Sequence, residues 1–113
     1  TYDPLTACKY TRIGRVVYVI VNLRTDAVTI GSATGNVLIG GLPFTAASPY
    51  GVFSFSQVEA WATNQPSSGE AYQTKIYLLY RAAANGVTSL VPVANVATGA
   101  NSNLVFFSGF YFV

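Results

Sequence analysis

The sequence predicts an all-β domain, an antiparallel β-sandwich of jelly-roll or Greek-key type. Three observations predict it. About eight apolar runs of roughly 5–10 residues recur at about 8–15 residue spacing, punctuated by Gly, Ser, Asn and Pro. No segment repeats apolar residues three and four apart over two turns, so helices are not expected. Finally, 51% of the 113 residues are hydrophobic and only 9% are charged, against about 25% charged in an ordinary domain. Ten charged side chains are too few to cover so small a domain. The apolar remainder is expected to be shielded by further copies, since obligate interfaces resemble a core cut in half.

The elements follow in order. CKYTRI at 8–13 is a short strand, and Gly14 separates it from a strong one, RVVYVIVNL at 15–23. There Val17, Val19, Val21 and Leu23 share one face, while Val16, Tyr18 and Ile20 share the other. A strand apolar on both faces is covered on both, and in a sandwich the second face needs a partner beyond the opposing sheet. AVTI at 27–30 and NVLIG at 36–40 are the next strands, joined by the GSATG connection. YGVFSFSQVEAW at 50–61 alternates, with Phe53, Phe55, Gln57, Glu59 and Trp61 opposite Val52, Ser54, Ser56 and Val58. After the polar run TNQPSSGE, 71–81 reads as one strand, with Tyr72, Thr74, Ile76, Leu78 and Tyr80 on one side and Gln73, Lys75, Tyr77, Leu79 and Arg81 on the other. Asn85-Gly86 suits the centre of a tight turn. SLVPV at 89–93 carries Pro92, a mark of an edge strand or bulge, and 103–113 is the last strand. No internal repeat is present, and the length fits one domain spanning 1–113.

One stretch is unlike an ordinary turn. In GNVLIGGLPFTA, a strand runs into Gly40-Gly41 and then Leu42-Pro43-Phe44. Glycine opens backbone conformations closed to other residues. Pro43 holds Leu42 extended and withdraws a ladder donor. The expected result is a stiff apolar corner, Gly40 to Phe44, that closes one end of the sandwich or docks on a neighbouring subunit.

Several chemistries are excluded by residue type. Histidine is absent and Cys8 is the single cysteine, so neither a histidine-based triad nor a His/Cys metal centre is expected. Cys8 reads as a small, buried or half-buried apolar residue. Glu59 and Glu70 bracket one loop and are the nearest approach to a carboxylate pair, but two acids beside a loop read as solvating charges. No enzymatic activity, cofactor or metal is expected. A net charge of +2, dispersed along the chain, gives no nucleic-acid footprint. No apolar run is long enough for a membrane helix, and membrane insertion is not expected. The chain lacks methionine and a signal-peptide layout at its start, which reads as a fragment, either excised from a longer protein or expressed as a domain.

Sugar binding asks for less: an aromatic face with amides and hydroxyls around it. Trp61, with Asn64 and Gln65 beside it, is the candidate patch, and Tyr77 and Arg81 could line the same surface. Against this stands Trp61 as a plug in the core or an interface.

The layout KYTRIGRVVYV, then GNVLIGGLPF, then SGFYFV resembles the small C-terminal domains of bacteriophage tail fibres and tailspikes. The resemblance rests on Tyr10, Thr11, Gly14 and Val17, and on Gly41, Leu42, Pro43 and Phe44. It implies a β-sandwich homotrimer at the distal end of an adsorption fibre, located on the virion outside the cell. Its partners would be its own copies and a bacterial surface glycan. The resemblance supplies no binding residues. A purely structural trimerisation domain and a carbohydrate-binding module of a secreted depolymerase are the alternatives.

Overall fold

The computed structural model describes residues 2–47 and 51–113. Tyr50, expected at the start of a strand, lies outside them. Eight strands are present: β1 (Ala7–Ile13), β2 (Val16–Thr25), β3 (Leu38–Gly40), β4 (Val52–Glu59), β5 (Ser68–Tyr72), β6 (Lys75–Tyr80), β7 (Ser89–Leu90) and β8 (Ser102–Phe112). A single 3₁₀ turn, Val93–Asn95, is the one helical element among the described residues. One antiparallel sheet runs β1-β2-β8-β4. The other runs β3-β6-β5, with β7 also paired to β6. The two face each other across a shared core, an arrangement compatible with a β-sandwich.

The register shows why these residues form that core. Val17 pairs with Tyr111, Val19 with Gly109, Val21 with Phe107 and Leu23 with Val105. All eight lie on the inner side, and all but the half-buried Leu23 are buried. The second sheet contributes Ala71, Ile76 and Leu78, also buried. Gly109 is needed where β4 passes: a Cβ there would fall on the Val52 carbonyl oxygen and lie 2.7 Å from Phe53 Cα. At the β1–β2 hairpin, Ile13 pairs with Val16 around Gly14-Arg15. Gly14 has φ +58°, the glycine-first arrangement of a type II′ turn.

The structure departs from the sequence reading at several points. Residues 27–30 form no strand; Val28 instead lines a cleft between the sheets, its N–H donating to the Thr98 carbonyl at 3.3 Å. The run 71–81 is a hairpin rather than one strand. Tyr72 pairs with Lys75 around Gln73-Thr74, and Gln73 takes φ +54° without being Gly or Asn. The turn is held from outside, because its two carbonyls accept N–H groups of Ala46 (2.7 Å) and Leu42 (3.0 Å). In β4 the alternation breaks. Phe55 pairs with Phe107 but Gln57 with Phe106, so Ser56 is an extra residue. The bulge moves Val58 to the core side with Phe53 and Phe55, and leaves Gln57 and Glu59 exposed. Around Asn85-Gly86, the turn has Ala84 and Asn85 at its centre, and the Gly86 N–H closes it on the Ala83 carbonyl at 2.9 Å. Only Ser89–Leu90 of 89–93 is strand; Pro92 makes a single bridge to Asn36. Cys8 is exposed. The second face of β2 is open on a single chain, Tyr18 and Ile20 being 47% and 45% exposed.

Candidate functional site

The sandwich is closed on one side and open on the other. β4 approaches β5, where the Phe55 ring lies 3.3 Å from the Cβ position of Gly69. On the opposite side a cleft of about 640 Å³ opens between the sheets. Its walls come from β1 and β2 (Cys8, Leu23), from β3 (Ile39) and from β6 (Leu78), with the Trp61 ring also lining it. A smaller cavity of about 170 Å³ adjoins it, sharing Cys8, Ile39 and Gly40. The cleft lies in the size range of small-molecule pockets.

Several of its polar side chains are engaged within the chain. Asn103 is 2% exposed. Its amide nitrogen donates to Thr25 Oγ1 (2.8 Å) and to the Ala97 carbonyl (2.7 Å), while its oxygen accepts the Ala97 N–H (2.8 Å). Thr25 Oγ1 in turn donates to the Ser102 carbonyl at 3.0 Å. The Trp61 indole N–H donates to the Leu104 carbonyl at 3.2 Å, which fixes the ring. Buried Asn95 does the same for the following connection: its amide donates to the Asn64 carbonyl (2.9 Å) and accepts the Thr63 hydroxyl (2.7 Å).

The five sugar-binding candidates do not converge. Trp61 is half-buried and lines the cleft, as does Leu78 from the inner face of β6. Asn64 and Gln65 follow it and are exposed. Tyr77 stands on the opposite face of β6, because its neighbours Ile76 and Leu78 point inward. Arg81 lies one residue beyond β6, its Nε donating to Thr88 Oγ1 at 3.4 Å. Around Tyr77 a different group forms. The Tyr72 ring meets it edge-on at 5.8 Å, and Glu70 is its partner across the strands. Lys75, one pair along, shares that outer face. The sequence reading missed Tyr72 because a single strand would have put it on the side opposite Tyr77. The turn at Gln73 brings the two together.

The corner has a definite place. Gly41 takes φ +89°, and Leu42 and Phe44 pack against the core cluster of Val17, Val19, Ala71 and Tyr111. Arg12 lies 4.6 Å above the Phe44 ring, and Tyr10 meets that ring edge-on at 5.9 Å. Fully buried Tyr111 accepts the Phe44 N–H on its hydroxyl at 3.3 Å. Gly40, at the end of β3, lines both cavities, and Pro43 lines the smaller. The two motifs that carried the resemblance therefore touch, Tyr10 and Val17 being in contact with Leu42 and Phe44 across the sandwich.

Glu59 and Glu70 stand on opposite outer faces, since Val58 and Ala71 beside them point inward. Among the described residues no three His, Cys, Asp or Glu side chains converge, and no helix is long and apolar enough to cross a membrane. The Cys8 thiol is pushed up from its ordinary value by desolvation, against a hydrogen bond with the Asn22 backbone, the reverse of what an activated nucleophile needs. Asp3 is held below the usual carboxylate range, first by the Leu5 N–H (2.8 Å) and then by Arg24 (2.7 Å). Comparison with protein-family models, with curated proteins and with solved structures gave no match.

Proposed function

We propose that this chain is the distal domain of a bacteriophage tail fibre or tailspike, a homotrimer that recognises a bacterial surface polysaccharide outside the cell. The observation that carries the reading is the amount of large apolar surface a single copy leaves open in a chain with so few charges. Ile13, Val52 and Val87 are 77%, 63% and 84% exposed, and Tyr2, Leu5, Tyr10, Tyr18, Ile20 and Phe112 are exposed with them. Apolar residues scattered singly are normal on a soluble monomer, but Ile13, Tyr18, Ile20, Val52 and Phe112 stand together on the outer face of the first sheet. A jelly-roll or Greek-key sandwich that trimerises accounts for it. The contact between the Tyr10/Val17 and Leu42/Phe44 motifs supports the resemblance, because it gives their co-occurrence a packing reason.

For the glycan, Tyr72 and Tyr77 with Glu70 and Lys75 form the better platform: two rings beside charged hydrogen-bonding groups on an open sheet face. Trp61 keeps its ring available only along the cleft. A glycan array read with the native chain, Tyr77→Ala and Trp61→Ala tests this. Loss of binding in Tyr77→Ala alone supports the platform; binding unchanged in both variants, or none to any bacterial envelope polysaccharide, refutes it. The scaffold-only alternative has its own support. Trp61 and Arg81 each spend a donor on their own chain. Under it, the native chain forms trimers but does not compete with virions for adsorption.

A further inference from the structure

We infer that copies of this chain meet through the outer face of the first sheet, at the end nearest the Gly14 turn. The inference rests on the assembly reading above and gives it a location. Side chains alternate across a sheet, so the register fixes what stands on that face. One row holds Ile13, Val16 and Phe112, and the next holds Thr11, Tyr18, Phe110 and Val52. Phe110 and Phe112 meet edge to face at 5.8 Å. Farther along, the rows turn polar: Lys9, Ile20, Ser108 and Ser54, then Asn22, Phe106 and Gln57. The apolar surface is therefore a patch at one end.

Its size suits a second copy. With a whole aromatic side chain offering about 150–250 Å², the two apolar rows and Ile20 present on the order of 600 Å². That reaches the upper limit of a typical monomer's largest patch, about 300–600 Å². A standard interface uses about 800 Å² per partner, and the polar rows supply the rim. The charge pattern selects the occupant. Side chains near a rotation axis meet their own copies, so a charge there repels itself. None of the seven described residues of these two rows is charged. The cations at this end are turned away, Arg12 onto the Phe44 ring and Gly14 carbonyl, and Arg15 onto the Val113 carbonyl at 3.0 Å. Among the described residues of those rows the Thr11 and Tyr18 hydroxyls are the two polar side-chain groups, with no amide or charge beside them, too few for a sugar.

The test is sedimentation of the native chain, Tyr18→Glu, Val52→Glu and Val87→Glu at micromolar concentration. The native chain and Val87→Glu sediment as trimers. Tyr18→Glu and Val52→Glu weaken association at least about thirtyfold, the loss expected at an interface hot spot, with unchanged β-sheet circular dichroism. Should a glutamate variant misfold, Val52→Cys in a Cys8→Ser background decides. A short bismaleimide, joining one thiol to one thiol, cross-links it into covalent dimers on a denaturing gel, and leaves Val87→Cys in the same background as single chains. A native trimer that withstands both glutamates and yields no Val52→Cys cross-link overturns the face and leaves trimerisation standing. A native monomer overturns both.

Discussion

Asn103 offers the sharpest check on how the chain holds its open end together. It sits at the start of β8 with φ +52°, almost fully buried. Its side chain makes the three hydrogen bonds that tie Ala97 and Thr25 to it, and its own N–H reaches the Ala60 carbonyl at 3.0 Å. Two separable costs follow from substitution. Removing three buried hydrogen bonds costs about 1 kcal/mol each, with some relief as water re-enters. Asparagine tolerates the left-handed region better than alanine does, and the steric penalty there is about 1–2 kcal/mol. Asn103→Gly loses only the bonds, so about 2–3 kcal/mol is expected. Asn103→Ala loses both, about 3–5 kcal/mol, a large part of the roughly 5–15 kcal/mol that holds a domain folded. Urea unfolding at fixed protein concentration, followed by circular dichroism, measures the two against the native chain. Equal losses in Gly and Ala would refute the backbone argument. A loss below about 1 kcal/mol in both would refute the network.

Other perturbations discriminate further. Gly109→Ala is expected to cost about 1–3 kcal/mol or more, because the obstruction is β4 backbone that cannot swing aside. Gly14→Ala meets no heavy atom within 4 Å and pays only the φ penalty; thermal melts should rank the two in that order. Tyr111→Phe leaves the Phe44 N–H without its acceptor and should lose about 1 kcal/mol by the same melts. Desolvation first holds the Tyr111 hydroxyl above its ordinary value of 10.0, opposed by its bond to Phe44. Its contribution is therefore complete below pH 10 and is lost as pH rises through the higher folded value, which an alkaline unfolding titration of native against Tyr111→Phe detects. For Asp3 the sign reverses: its contribution is complete above the ordinary value of 3.8 and is lost as acidification passes the lower folded value. An Asp3→Asn variant should flatten the acid limb of a stability–pH curve.

The long strands were legible because each carries its own signal. β2 and β8 alternate valine, leucine and aromatic residues over ten and eleven residues, and Gly14 marks the only break between β1 and β2. What stayed hidden was hidden by non-local support. Gln73-Thr74 has no turn composition; it bends because Leu42 and Ala46, some thirty residues earlier, donate to its carbonyls. Splitting 71–81 and losing 27–30 cancel, so the strand number agrees while two identities differ. The bulge at Ser56 is likewise invisible to a strict two-residue period, yet it decides that Val58 rather than Glu59 faces the core. The site suffered most from the first of these. Reading one strand across Gln73 separated Tyr72 from Tyr77 and joined Tyr77 to Trp61, which β6 holds on its opposite side.

The corner and the outer patch belong to one end of the same strand. At the Gly14 end of β2, Val17 and Val19 face inward, where Leu42 and Phe44 of the corner cover them. Val16 and Tyr18 face outward with Phe110 and Phe112, and among the described residues Val16 and Phe110 are half-buried while Tyr18 and Phe112 stay exposed. A strand apolar on both faces thus gets one cover from its own sequence, and under the proposed assembly the other comes from a further copy. The arginines sharpen the contrast. Arg12 and Arg15 could have snorkelled over the outer rows, but Phe44 and the Val113 carbonyl draw them to the chain's own groups. The same contacts that close the sandwich therefore keep both arginines off the outer rows at the Gly14 end, and it is on that uncharged end that the proposed contact with a further copy rests.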